Sequence, residues 1–235
     1  NNGKKIPADL VICNADPPTV YSEMLPSEYS RDSLLKPKKF THYSMGLYVL
    51  FFGSKKKFSD VAHHTIWMSE RYKELLHDIF EKKILTEDFS LYLHRPTATD
   101  DTFAPEGCDS FYVLCPVPNL QGNVQWNSEG PKLKHRIVEA LDKTIMPGLK
   151  ENIEAEFWMT PEDFKNDYRS KYGAGFSVAP IFSQSAWFRY HNKDKKIPNL
   201  YFSAAGSHPG AGIPGVLCSA KVIEKLIIKD FKVSH

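Results

Sequence analysis

LYFSAAGSHPGAGIPGV, Leu200 to Val216, is the segment from which the fold is read. Leu200, Tyr201 and Phe202 predict the end of a buried strand, apolar and bounded by Pro198 and Asn199. Four glycines follow within ten residues: Gly206, Gly210, Gly212 and Gly215. From Val216 the pattern turns helical, with Val216, Ala220, Ile223 and Ile227 spaced as one face. A strand, a glycine-rich turn and a helix let backbone approach a ligand closely. The positive end of the helix dipole favours an anion or an electron-rich carbonyl there. The stretch is not expected to hold the G-x-G-x-x-G of a dinucleotide fingerprint. Spacing alone leaves two readings, a ligand cradle or a structural turn stiffened by prolines.

Upstream, Ile6–Cys13 predicts a short strand, with Asp16 as N-cap of a helix that starts at Pro17. Val20, Met24 and Leu25 form its expected buried face, and Pro26 ends it. Phe40–Phe52 alternates, with Met45, Leu47, Val49 and Phe51 on one side and Tyr48, Leu50 and Phe52 on the other. A strand apolar on both faces needs two covers: one a helix layer, the other a lipid-like ligand or more core. Ala62–Met68 is a second strand, on which His63 and His64 are expected to point to opposite faces and share no metal. Ser69 is the expected cap of a helix burying Tyr72, Leu75, Leu76, Ile79 and Phe80. Strands over Phe89–Leu93 and Phe111–Cys115 complete a mixed or antiparallel sheet, the latter stopped by Pro116. Between them, Asp100, Asp101 and Glu106 lie in a Thr- and Pro-rich loop and read as turn and cap residues.

Gly130-Pro131 is the expected start of a helix with Leu133, Ile137, Leu141 and Ile145 inward, closed by Pro147-Gly148. Thr160 caps another, with Pro161 first and Phe164 and Tyr168 inward. Phe157, Trp158, Met159, Phe164, Tyr168 and Tyr172 make an aromatic neighbourhood: core, tunnel wall or membrane lip. No Ser-His-Asp order, metal-ligand spacing or Walker A motif appears, so no catalytic residue and no metal is assigned.

Net charge is +2, too mild to argue for a nucleic-acid partner. The basic runs at 36–39 and 55–57 read as solvated loops able to touch anionic lipid. Hydrophobic residues make up 42% and charged residues 25%, the balance of a globular domain with a real core. Cys13, Cys115 and Cys218 sit in apolar segments and read as small core residues in a reducing compartment. The longest apolar run, Leu47–Phe52, is far short of the roughly 18 residues of a spanning helix.

The string AGSHPGAGIPGVLCSAK closely resembles the C-terminal flavin-binding signature of the bacterial and fungal type of phytoene desaturase. ADLVICNADP at 8–17, FTHYSMGLYVLFFG at 40–53, AHHTI at 62–66, the segment 87–120, EGPKL at 129–133 and QSAWFRYHN at 184–192 resemble the same family in the same order. Two positions depart from its usual pattern: Ala204 stands for glycine and Ser207 for threonine, both small.

The resemblance implies an α/β fold, the C-terminal part of a glutathione-reductase-type FAD-binding domain with an inserted mixed or antiparallel-sheet substrate domain. Residues 1–20 and 185–235 would belong to the flavin domain and 21–184 to the substrate domain. FAD would be held by Asn14, Ala15, Gly206, Ser207, His208, Pro209, Gly210, Gly212, Ile213, Pro214, Gly215 and Val216. The implied activity is desaturation of a linear carotene such as phytoene, with a quinone or oxygen as final acceptor. Its alternatives are a carotene isomerase, an amine-oxidase-like oxidoreductase, or a lipid- or carotenoid-binding module without redox chemistry. The family's N-terminal dinucleotide unit is not found, so the chain reads as the C-terminal part of a longer protein and is expected to purify colourless alone. An insoluble substrate implies peripheral contact on the cytoplasmic side of a membrane, through an amphipathic patch placed at Phe157–Tyr172 with Lys165, Arg169 and Lys171.

Overall fold

The computed structural model describes residues 3–31 and 41–232. The strand expected from Phe40 begins outside the described residues, as does the basic run at 36–39. In chain order the elements are β1 (Val11–Cys13), α1 (Pro17–Thr19), α2 (Ser27–Arg31), β2 (Gly46–Ser54), β3 (His64–Trp67), α3 (Tyr72–His77) and β4 (Leu91–His94). They continue with β5 (Asp109–Val117), α4 (Trp126–Lys143), α5 (Leu149–Asn152), β6 (Ile153–Met159), α6 (Pro161–Tyr168), β7 (Leu200–Phe202) and α7 (Ile213–Phe231).

The chain divides into two compact units. One takes the described residues up to Ser44, Tyr168–Lys171, and the described residues from Phe176 onward. The other takes Met45–Asp167 and Tyr172–Gly175. The divisions therefore fall at 44/45 and between 167 and 176, where the sequence had placed them at 20 and 184.

The second unit is a five-stranded sheet in the order β3-β4-β5-β2-β6, every neighbouring pair antiparallel. Strict alternation sorts its side chains. Tyr48, Leu50 and Phe52 of β2 lie in register with Cys115, Val113 and Phe111 of β5, and all six are buried in one core. Leu91 and Leu93 extend that core, and α4 closes it with Leu133, Ile137, Val138 and Leu141. Each such fully buried aliphatic side chain contributes about 1.5–3 kcal/mol of transfer free energy.

Several element limits differ from the sequence reading, each for a local reason. Helix α4 starts at Trp126 rather than Gly130, so Pro131 lies in its second turn, where its ring removes the bond to the Asn127 carbonyl. Ile145 is exposed while Met146 is fully buried, because the helix has ended at Lys143 and the 3.6 period no longer applies. Strand β5 runs through Pro116 to Val117, and β6, unforeseen, adds an edge strand. Helix α3 begins at Tyr72, itself exposed, and Ser69 does not cap it; the Ser69 hydroxyl donates to Asp88 at 2.7 Å. Met24 is exposed, since the chain from Val20 winds as a single wide π-turn and rotates the expected face outward. At α6 the capping oxygen comes from Asp163 rather than from Thr160: the Thr160 amide and hydroxyl donate to Asp163 Oδ2 at 2.6 and 2.8 Å. Asp100 likewise acts as a cap, accepting from the Thr102 amide at 2.9 Å and its hydroxyl at 2.6 Å, which hold its carboxyl below the usual range.

In the first unit β1 and β7 pair in parallel, Val11 with Leu200 and Cys13 with Phe202. Leu200, Tyr201 and Phe202 are all buried. Helix α7 begins at Ile213, three residues before the expected start, and buries Ser219 and Ile223 while Ala220 is exposed. Its inward stripe is therefore 216/219/223, a step of three then four. Cys218 is exposed and Cys13 only half-buried, so Cys115 alone of the three is a core residue.

Candidate functional site: a glycine loop at paired strand ends

Parallel pairing puts the carboxyl ends of β1 and β7 side by side, where ligands bind in open α/β sheets. Two ties fasten these ends. The Ser203 amide donates to the Cys13 carbonyl at 3.0 Å, and the Asn14 side-chain amide donates to the Ser203 carbonyl. Asn14 and Ala15, both expected at the site, thus face the start of the loop that carries the glycines.

Gly206 is fixed by close approach. A Cβ there would lie 2.6 Å from Ser177 Oγ, 2.7 Å from Pro17 Cδ and 3.0 Å from Asp16 Oδ1. No residue larger than glycine fits without moving one of them. Asp16 is not the side-chain cap that the sequence suggested. It is buried, accepts from the Ser177 hydroxyl at 2.5 Å and the Lys171 amide at 2.9 Å, and makes no capping bond to its own helix. Burial pushes its carboxyl above the ordinary value, against the opposing pull of those two donors and of Arg189.

Ser207 is fully buried and closes a tight turn. The Ala204 amide donates to its Oγ at 2.9 Å, and its hydroxyl lies 2.8 Å from the Ala204 carbonyl. The next residues pass over Asn192, which the sequence had not singled out. Its side-chain amide reaches the carbonyls of Phe202 at 3.1 Å and His208 at 2.8 Å, and Ser219 Oγ at 2.8 Å. Strand end, loop and helix α7 are thereby joined at one buried side chain.

Arg189, also missed, is buried beneath the same loop. It donates to three carbonyls, Ala205 at 2.9 Å, Gln184 at 3.3 Å and Phe176 at 2.7 Å. Burial lowers its pKa, offset by Asp16 and Tyr190. The sequence signal for both residues was their place in the QSAWFRYHN block, though charge and amide alone gave no hint of burial.

Beyond His208 the loop opens outward. His208 Nδ1 is buried and has no hydrogen-bond partner among the described residues, so it is an orphaned polar atom at the loop. Gly210 and Gly212 have φ of 149° and 90°, a backbone route that side chains rarely adopt. A Cβ on Gly215 would strike the Gly210 carbonyl at 2.6 Å. Helix α7 starts with no side-chain cap at Gly212, and Ile213 and Pro214 are exposed at its mouth. Pro209 and Val216 flank this opening half-buried. All twelve expected flavin-contact residues thus lie along the paired strand ends, this loop and the first turn of α7.

Gly210, Gly212 and Gly215 do carry the bare G-x-G-x-x-G spacing. The segment is still no dinucleotide fingerprint, because residues 203–209 separate it from β7, whereas the fingerprint follows its strand at once. An unpartnered imidazole nitrogen, a loop stripped of side chains and an uncapped helix start fit an electron-rich heteroaromatic ring such as a flavin.

The second unit holds a separate cavity of about 570 Å³. Its walls include Phe51, Tyr92, His94, Tyr112, Glu156 and Phe157. Phe51, Tyr92, His94, Tyr112 and Phe157 face away from the helix-covered core, because strand side chains alternate, whereas Glu156, in register with core residue Phe52, turns to α4 and pairs with Lys134. Phe51 stacks on Phe157 with ring centroids 4.5 Å apart and meets Tyr112 edge-on at 5.2 Å. Of the proposed membrane patch, Phe157 and Tyr168 are exposed, but Trp158 packs against the core. Among the described residues no helix is long and apolar enough to cross a membrane.

Comparison with known proteins agrees with this layout. The chain is 44% identical over 233 residues to "Phytoene desaturase (lycopene-forming)" of Pantoea ananas, covering 97% of this chain and 47% of that protein. It is 44% identical over 234 residues to "Phytoene desaturase (neurosporene-forming)" of Rhodobacter capsulatus, covering 96% of this chain and 44% of the relative. The chain therefore spans less than half the length of these relatives. An oxidoreductase from Methanosarcina mazei shares the fold, with a TM-score of 0.52 at 15% identity over 95% of this chain and 44% of that one. A family profile described as flavin containing amine oxidoreductase matches residues 1–222, and its α/β architecture, with one parallel and one antiparallel sheet, is the one seen here. The chain belongs to the flavin-containing amine oxidoreductase family.

Proposed function

We propose that this chain is part of an FAD-dependent carotene desaturase acting on a linear carotene such as phytoene. The observation that carries the reading is the glycine loop over Asn192 and Arg189, which leaves His208 Nδ1 unpartnered beside an open helix start. The relatives' names support the substrate class. A bound flavin supplies a two-electron acceptor for removal of two hydrogens from a C–C single bond. The residues of this chain bind and position. Asn14, Gly206 and Gly210 to Val216 would hold the flavin, with His208 Nδ1 able to donate or accept at the ring edge. Phe51, Tyr112 and Phe157 would hold the hydrocarbon, since stacked aromatic walls exclude water and offer dispersion contact along a polyene.

The glutathione-reductase-type arrangement belongs to this proposal, with the β1/β7 unit as the flavin half and the β2–β6 sheet as the substrate half. So do a quinone or oxygen as final acceptor and peripheral contact at the cytoplasmic face of a membrane. Phe182, Trp187 and Phe188 of the first unit are 86%, 70% and 62% exposed and offer an aromatic surface for that contact.

Expression of the complete reading frame in a phytoene-producing, otherwise carotenoid-free host tests the proposal. The expected product is lighter than phytoene by two hydrogens per step, with a red-shifted spectrum. A product of unchanged mass identifies an isomerase and overturns desaturation; no carotene product from a flavin-loaded protein overturns the substrate class.

A further inference from the structure

The second unit also brings three histidines together. His64 opens β3 and His94 closes β4, and the two are direct antiparallel partners, so their side chains leave the same face of the sheet. His63 lies one residue before β3, outside the strand. The alternation that would send His63 and His64 to opposite faces therefore does not hold. Their rings lie 4.4 Å apart, and those of His63 and His94 4.8 Å apart. Each residue offers a ligand nitrogen, and the three nitrogens lie within 4.8 Å of one another.

We propose that His63, His64 and His94 form a binding site for one divalent transition-metal ion of the zinc class, with a fourth position open to water. Three neutral imidazoles select such ions over magnesium or calcium, which demand oxygen ligands. Tetrahedral bonds of about 2.0–2.1 Å place ligand nitrogens about 3.3 Å apart. His63 Nε2 and His94 Nε2 stand 2.9 Å apart, so an ion needs them to part by only a few tenths of an ångström.

The surroundings orient the rings for this. His63 Nδ1 meets the Thr99 hydroxyl, and His64 Nδ1 lies 2.8 Å from the Tyr92 phenol. In the metal-binding tautomer each Nδ1–H donates to that oxygen, which turns the Nε2 lone pair toward the ion. The backbone is held as well. The Arg95 amide donates to the His63 carbonyl at 2.9 Å, while its guanidinium is anchored on buried Asp109 at 3.0 Å and the Val61 carbonyl at 2.9 Å. His94 also lines the aromatic cavity, so the ion would sit at the rim of that groove.

Titration of the chelator-treated chain with Co²⁺, followed by visible absorption, tests the site. One Co²⁺ per chain is expected, with the d–d bands of a tetrahedral centre, displaced by Zn²⁺. His64→Gln and His94→Gln should each weaken binding at least tenfold. Thr99→Val, which removes only the orienting hydroxyl, should weaken it about 10–100-fold. His77→Gln, on exposed α3, should leave it unchanged. Absence of saturable binding, or unaltered affinity in the His63→Gln/His94→Gln double variant, overturns the proposal. Should the double variant fail to fold, His64→Gln at its exposed position decides by the same criterion.

Discussion

Asp16 and Gly206 stand so close that a single methyl group on the glycine would lie 3.0 Å from the aspartate Oδ1. They are far apart in sequence and belong to the two ends of the chain that β1 and β7 bring together. Gly206→Ala should therefore cost about 1–3 kcal/mol of stability by overpacking. Gly53→Ala, where an added Cβ meets nothing within 4 Å, should change stability by less than about 0.5 kcal/mol. Urea unfolding of the two variants measures the contrast.

Asp109 gathers three donors. Phe58 N lies at 2.6 Å, Thr97 Oγ1 at 2.7 Å, and Arg95 Nε at 3.0 Å, all in the buried interior of the second unit. Its partner across the sheet, on β2, is Ser54. Asp109→Ala leaves the Arg95 charge buried without its partner and should cost about 3–5 kcal/mol. The denaturation midpoint should fall while the unfolding slope stays unchanged.

The inward face of α4 is testable at two positions of the same expected stripe. Leu141 is fully buried, so Leu141→Ala should cost about 2–5 kcal/mol. Ile145→Ala should cost less than about 0.5 kcal/mol, because its side chain is exposed beyond the helix end. Equal losses at both positions would contradict the observed helix limit.

Asp78 supplies a pH dependence. The Lys82 ammonium at 2.7 Å and the Arg71 guanidinium at 3.2 Å hold its carboxyl below the usual range. A depressed folded-state pKa adds stability above the unfolded value of about 3.9, and that stability is lost as pH falls through the lower folded value. Thermal unfolding of Asp78→Asn and the native chain should thus differ most above about pH 5 and converge toward pH 2.

The sequence was most informative where one periodicity ruled a whole element. Tyr48, Leu50 and Phe52 against Leu47, Val49 and Phe51 is the division that β2 makes between its two faces, with Met45 lying just before the strand. Leu133, Ile137 and Leu141 likewise lie where a 3.6-residue period puts them. The glycine loop was legible because its residues are chosen for what they lack. What escaped was what depends on distant partners. Nothing in the local sequence at Arg189 and Asn192 signals burial, yet carbonyls from other segments hold them inside. The histidine pair was misread for a smaller reason: His63 lies one residue outside the strand whose alternation was applied to it.

The parallel pair β1/β7 also sets an order of assembly. Val11 must wait for Leu200, and the chain closed between them is long, so its loop entropy is lost before any bond rewards it. The antiparallel sheet of β2 to β6 needs only residues 46–159 and is complete before β7 leaves the ribosome. Among the described residues, β1 thus gains its strand partner only once β7 has been made. Substitutions that weaken the β1/β7 seam should therefore lower the yield of folded protein more than they lower the stability of what has folded.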